Sequence, residues 1–220
     1  IALAHQEKLI ALTRQINQEV KENPSCATLT RYGTWNNLTP LQRYGILPTK
    51  NFQAGLIVGG ERLESEAINK TILMKRHTCP YCPIFCRPVV EMEKPYKVSG
   101  IYGGPQYETV AALGSLVMNT DPALIAKAHE MCNRYGIDTM STGECIAWAM
   151  ECWECGIDLG RPLPWGDGET ILTLIEEIAY RRNVGAFLAE GVRAAATKVG
   201  KGSEAWALHV KGFEMAMHDP

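Results

Sequence analysis

Cys79-Pro80-Tyr81-Cys82-Pro83-Ile84-Phe85-Cys86 is the stretch around which this 220-residue chain is organised. Two residues separate the first pair of cysteines and three the second. That spacing lets a loop with one helical turn aim three thiolates at a common point, as a soft metal centre requires. Pro80 and Pro83 stiffen the segment, and because neither carries a backbone N–H it resists both regular helix and regular strand. An iron–sulfur cubane or a structural zinc takes four protein ligands, so a fourth must come from elsewhere. The array suits a cluster best; a zinc staple and plain structural or redox thiols are the competing readings.

The remaining cysteines are Cys26, Cys132, Cys145, Cys152 and Cys155. Cys152 and Cys155 repeat the C-x2-C spacing, but they lie in Ala147-Trp148-Ala149-Met150-Glu151-Cys152-Trp153-Glu154-Cys155. That stretch reads as helix with both thiols on one face, where cysteine acts as a small buried hydrophobe. Eight cysteines in a chain of this length, three of them set as ligands, fit a reducing cytoplasm better than a disulfide framework.

A hydrophobic content of 46% supports a real core and room for two packed units. The net charge of −2 and the lack of a long basic run give no sign of a nucleic-acid or anionic-membrane partner. No run of about 18 apolar residues suggests a membrane span, and Ile1-Ala2-Leu3-Ala4-His5-Gln6 lacks the regions of a signal peptide. Ile1 falls inside a helical pattern and Asp219-Pro220 is a turn signal, so the expectation is an internal portion of a longer protein.

Upstream of the array, Leu9, Leu12, Ile16 and Val20 recur at helical spacing, which predicts an amphipathic helix packed on something larger. Asn23-Pro24-Ser25 ends it. Residues 29–60, rich in Gly, Asn, Thr and Pro, read as a long irregular connection. Residues 61–72 form a short helix that delivers the chain to the cysteines. Downstream, residues 88–93 and 97–102 predict a short hairpin beside the cysteine loop.

Gly103-Gly104-Pro105-Gln106-Tyr107-Glu108-Thr109 then leads into a helix. Glu108 is either a charge favoured by the helix dipole or a proton acceptor facing a site, the second role requiring burial. Asp121-Pro122 supplies N-cap and first residue to a helix that runs to Tyr135 and stops at Gly136. His129 on that helix reads as a surface or core residue rather than a ligand. Residues 136–144 predict a polar turn between two helices, in which Asp138, Thr139, Ser141 and Thr142 offer more short hydrogen-bonding groups than capping needs. Helices follow at 144–155, 170–182 and 187–199, with Gly191 inside the last, and 206–210 reads as a brief extended piece. About half the chain is helical on this reading, which makes the fold mainly α.

Four segments in this order resemble the tungsten-containing aldehyde:ferredoxin oxidoreductase family: the cysteine array, Gly103–Thr109, Cys132-Asn133-Arg134-Tyr135-Gly136-Ile137-Asp138-Thr139, and Lys211-Gly212-Phe213-Glu214 with Asp219-Pro220. Leu47-Pro48-Thr49-Lys50-Asn51-Phe52 looks like the family's segment before its helical region. The resemblance implies the helical domains of that fold. Residues 1–158 would carry the cluster loop and the first pterin-binding turn, and residues 159–220 would begin a C-terminal helical domain.

It also implies a [4Fe-4S] cluster on Cys79, Cys82 and Cys86, and a tungsten or molybdenum ion held by two pterins, with Asp138, Thr139, Ser141, Thr142 and Gly143 at the first pterin. Glu108 matches a catalytic glutamate near the metal. The family's fourth cluster cysteine lies in a later segment that this sequence does not reach. The implied activity is oxidation of an aldehyde to a carboxylic acid with ferredoxin or another iron–sulfur protein as electron acceptor, in a protein with room for homo-oligomerisation. A benzoyl-CoA reductase-like tungsten subunit and a non-catalytic iron–sulfur or zinc module are the alternatives.

Overall fold

The computed structural model of the chain describes residues 4–218. Helix α1 spans Gln6–Glu22 and α2 spans Pro24–Tyr32. Asn23 both ends the first and starts the second: its side chain accepts from Ser25 N at 2.9 Å and Cys26 N at 3.3 Å, and Pro24 sits where a helix needs no N–H donor. The expected packing of α1 is not seen among the described residues. Leu9, Leu12 and Ile16 are 45–51% exposed and none of its residues is buried.

The connection expected over residues 29–60 is largely ordered. After α2 come a 3-10 turn, Gly33–Asn37, and α3, Leu38–Tyr44, closed by Gly45 in the left-handed region. Trp35 and Leu38 are buried in the core, and that tertiary burial outweighs the weak helix propensity of the Asn, Thr and Gly around them. Lys50, Asn51 and Phe52 follow in a left-handed turn, held by Lys50 N to Ser115 O at 3.1 Å and Asn51 N to Leu116 O at 3.0 Å.

Helix α4 spans Ser65–Ile72 and hands the chain to strand β1, Lys75–His77, which pairs antiparallel with β2, Arg87–Val89. Lys75 lies opposite Val89 and His77 opposite Arg87, so the cysteine array forms the tip of the hairpin. The hairpin expected between residues 88–93 and 97–102 is reduced to a single bridge, Met92 to Val98. The stronger pairing uses residues on both sides of the array, where the prolines end the ladder and leave the thiols in a loop.

The remaining helices are α5 (Tyr107–Ala112), α6 (Pro122–Tyr135), α7 (Thr139–Glu154), α8 (Gly168–Tyr180), α9 (Gly185–Leu188) and α10 (Val192–Val199). Asp121 caps α6 through Ala123 N at 3.0 Å, and Gly136 ends it at φ 71°. Gly191 at φ 87° divides the helix expected over 187–199, since no helical residue adopts that angle. The 206–210 piece is a 3-10 turn, Ser203–Trp206, followed by a Val210–Phe213 bridge. Helix makes up 56% of the structure and the sheet has two strands, so the fold is mainly α.

Helix α7 is central and packs against α5, α6, α8 and α10. Trp35, Leu113, Leu116, Ile146, Trp148 and Met150 are fully buried in one contiguous core that reaches from residue 35 to residue 217. Among the described residues no single helix is long and apolar enough to cross a membrane.

Candidate functional site

The polar segment expected as a turn at 136–144 is mostly the first turns of α7, which starts at Thr139 rather than Glu144. Asp138 is its N-cap, with Oδ1 accepting from Ser141 N at 2.8 Å. The Thr142 hydroxyl donates to Asp138 O at 2.5 Å, and Thr139 Oγ1 lies 2.8 Å from Thr109 Oγ1 on α5. Local structure therefore engages more of these side chains than the sequence suggested. Gly143 lets α5 approach: a Cβ there would lie 2.5 Å from Ala112 O. Asp138, Ser141 and Thr142 still line a cavity of about 190 Å³ with Ile137, Cys145 and Gly191. That is below the ~300 Å³ of a whole ligand pocket.

Residues 214–218 run as a strap across α10, α7 and α5. Glu214 Oε1 accepts from Val192 N at 2.8 Å, and its carboxylate also lies 4.0 Å from Cys145 Sγ. Glu144 is 1% exposed, and its Oε1 has no hydrogen-bond partner among the described residues. Met217 N donates to Glu108 Oε2 at 2.8 Å, the Tyr107 hydroxyl donates to Met217 O, and His218 Nε2 lies 3.1 Å from Glu108 Oε1. Glu108 is not deeply buried, its side chain being 33% exposed; hydrogen bonds orient it instead. Burial foremost, then the charges of Glu214 and Asp138, push Glu144 up to about 8.

The array lies on the far side of Trp35. Cys79 is exposed, Cys82 and Cys86 are half-buried, and all three are free thiols. Cys82 N donates to Cys79 O at 3.1 Å, and Thr78 Oγ1 lies 2.5 Å from Cys82 O and 3.0 Å from Ile84 O. Arg76 stands under the loop, its guanidinium 4.6 Å from the Trp35 ring centroid and bonded to Asn69 Oδ1 at 2.7 Å. Burial lowers Arg76 to about 10, and Cys86 acts in the opposite direction. Residues 71–90 contain no acidic side chain, so the loop sits in a positively biased setting.

Two contacts join the loop to the Asp138 region. A Cβ on Gly33 would lie 2.5 Å from Cys86 O. On the other side, Trp35 Nε1 donates to Pro105 O at 2.6 Å and Tyr107 N donates to Thr34 Oγ1 at 2.9 Å. Residues 33–35 thus bridge Cys86 to the segment that carries Glu108, and Thr109 continues to Thr139. The array and Asp138 are joined only through this relay of contacts, and no cysteine of the array lines the Asp138 cavity.

Three free thiols beside a half-buried guanidinium match thiolate-ligand chemistry and fall one short of a cubane's four. Among the described residues no three His, Cys, Asp or Glu side chains are gathered tightly enough to hold a metal ion. At the other end, a carboxylate and two hydroxyl-bearing side chains in a small cleft match the N–H-rich edge of an aminopyrimidinone. Cys152 and Cys155 differ in environment: Cys152 is fully buried, which pushes its thiol up to about 11, whereas Cys155 is exposed at the helix end. His129 is a structural residue, its Nε2 lying 3.3 Å from Tyr102 O, with burial lowering its pKa.

Glu144, Glu214 and His218 were missed by sequence reasoning as site residues. Glu144 stood next to the polar segment, which was the available signal; nothing at the chain end separated His218 from a turn residue.

The structure is a helical scaffold with three thiols on a hairpin tip and carboxylates around a cleft. The family described as "Aldehyde ferredoxin oxidoreductase, domains 2 & 3" matches residues 11–220, and the chain belongs to the aldehyde ferredoxin oxidoreductase family. The tungsten-containing aldehyde ferredoxin oxidoreductase of Thermococcus kodakarensis is 32% identical over 227 residues, covering 100% of this chain and 36% of that protein. The protein of the same description from Pyrococcus furiosus is 33% identical over 227 residues, again 100% and 36%. The aliphatic sulfonate oxidoreductase WOR-like subunit of Pyrococcus furiosus is 32% identical over 159 residues, 68% of this chain and 25% of that one. The chain therefore spans about a third of the length of its first two relatives. Among solved structures, the active site complex BamBC of benzoyl coenzyme A reductase with 1,5-dienoyl-CoA shares the fold, with TM-score 0.64 and 20% identity over 84% of this chain and 27% of that one.

Proposed function

We propose that the protein oxidises an aldehyde with water to a carboxylic acid, releasing two electrons and two protons, and passes the electrons singly to ferredoxin or a similar iron–sulfur carrier. Cys79, Cys82 and Cys86 would ligate a [4Fe-4S] cluster, and Asp138, Thr139, Ser141, Thr142 and Gly143 would form the seat of one pterin of a tungsten (or molybdenum) bis-pterin. Bound there, the metal would supply Lewis acidity and a two-electron acceptor, with the cluster as one-electron relay.

The observation that carries the reading is the bridge of residues 33–35, which joins Cys86 to the segment bearing Glu108 and, through Thr109, to the Asp138 end of α7. Glu108 takes a proton from water or the aldehyde hydrate. Met217 N fixes one carboxylate oxygen, leaving the other toward His218, whose side chain is 58% exposed and can hand the proton to solvent. Asp138 would bind by accepting N–H donors from the ring while its other oxygen keeps the helix cap.

Glu108→Gln keeps the side-chain shape and removes the base. Turnover falls by at least a hundredfold while iron and tungsten content stay at the wild-type level; unchanged turnover removes Glu108 from the chemistry. Free cysteines throughout the described chain support a reducing, cytoplasmic compartment.

A further inference from the structure

We propose that the outer face of the β1–β2 hairpin is the docking surface for a small acidic electron-carrier protein, held by Lys75 and Arg87 around the exposed side chains of the tip. In the antiparallel register Lys75 lies opposite Val89 and His77 opposite Arg87, so these four share one face of the sheet, while Arg76 and Pro88 share the other. Burial follows the same division: Lys75, His77 and Arg87 are exposed, and Pro88 is buried. Residues 71–90 hold three of the chain's 22 basic side chains and none of its 24 acidic ones, although the whole chain is negative at −2. Neither Lys75 nor Arg87 is in an ion pair among the described residues. A cleft of about 200 Å³ beside this face, lined by His77, Arg87, Gly100 and Ile101, gives a carboxylate side chain a place to enter.

Charge on a surface needs only water to satisfy it; here apolar surface accompanies it. Tyr81 and Phe85 at the tip, Met74 at the open end of the hairpin and Ile101 at the cleft are large apolar side chains left exposed. Aromatic and aliphatic groups flanked by unpaired cations have the composition of a protein interface. The charge selects the occupant. A second copy of the chain meeting this face across a two-fold axis sets cations against cations, whereas an anionic partner neutralises them. Cys79 is exposed at the same tip, so a carrier seated there lies beside the array. Each encounter moves one electron from the chain's cluster to the oxidised carrier, with no atom or proton transferred. That the partner carries electrons rests on the cluster reading of Cys79, Cys82 and Cys86; that it is acidic rests on the hairpin itself.

Calorimetric binding of a small acidic ferredoxin to the intact protein at rising salt tests the proposal. Between about 20 mM and about 300 mM sodium chloride the dissociation constant of wild type rises at least about tenfold, because exposed charges are screened. Lys75→Glu with Arg87→Glu weakens binding at low salt by at least about tenfold and flattens the salt series, whereas Lys198→Glu with Lys201→Glu, an equal reversal on α10 and just beyond it, stays within about twofold of wild type. If the charge reversal at the hairpin does not fold, Lys75→Gln with Arg87→Gln takes its place, with an expected loss of at least about threefold. No binding, or wild-type binding that ignores salt, overturns the proposal. So does an equal loss in the hairpin and α10 variants, or a hairpin variant that binds like wild type, the result if another part of a longer protein covers the face. Iron analysis of the same samples separates the two readings: hairpin-dependent binding by protein without iron counts against the cluster alone, and iron-loaded protein whose binding is indifferent to the hairpin overturns the docking surface alone.

Discussion

Asp138 and Glu144 sit six positions apart on one helix and show how differently two acids can be used. Asp138 caps α7 while lining the cavity. Asp138→Asn keeps an equally good cap, so stability changes by no more than a few tenths of a kcal/mol, yet pterin content drops because a carboxamide cannot offer two acceptor oxygens to N–H donors. Thermal melts with cofactor analysis check this; retained pterin contradicts the seat.

Glu144 gives a sign that can be measured. Its folded value, about 8, lies above the unfolded 4.5, so between the two the folded state holds the extra proton. Its contribution to stability is complete below the unfolded value and is lost as pH rises toward 8, at a ceiling of about 1.4 kcal/mol per pH unit. Denaturant melts from pH 5 to 8 show wild type losing stability relative to Glu144→Gln; parallel curves show that Glu144 does not carry the proton.

Of these residues the sequence suggested that one or two of the polar side chains cap a helix, but it started that helix at Glu144, so Asp138 as the cap became visible only once α7 was seen to begin at Thr139. It could not reveal Glu144, since a glutamate inside a helix reads as surface until the elements packed around it are known.

Among the elements, α6, α7 and α8 were legible from period and punctuation: Asp121-Pro122 and Gly136 bound α6, and Ile171, Leu174, Ile175 and Ile178 face inward from α8 as spaced. The segment around Trp35 was not. Its order comes from a side chain packed 70 residues away against Pro105 O, and no local pattern encodes that contact. The hairpin was expected on the wrong side of the array because the strand signal in Pro88-Val89-Val90 was visible, while its true partner, Lys75-Arg76-His77, carries none. Gly143 reads in sequence as part of a cofactor turn, and its measurable duty is the α5–α7 contact. Gly143→Ala puts a methyl 2.5 Å from Ala112 O, forces the helices apart and costs about 1–3 kcal/mol, read as a lower denaturation midpoint with unchanged slope.

At the scale of the molecule the mainly α character and the order of the motifs were readable from sequence, and the packing of distant segments was not. The strap of residues 214–218 ties three helices together, a role that nothing in a run of Glu, Met and Ala announces. On the proposed reading, three thiols at the hairpin tip and a pterin seat at Asp138 serve one electron route. The most direct measurement is metal analysis of the intact protein, in wild type and in Cys82→Ser and Asp138→Asn. The expected result is about four irons and one tungsten or molybdenum per chain in wild type, iron depleted in Cys82→Ser, and tungsten or molybdenum depleted with iron kept in Asp138→Asn. Zinc in place of iron, or iron unaffected by Cys82→Ser, would contradict it.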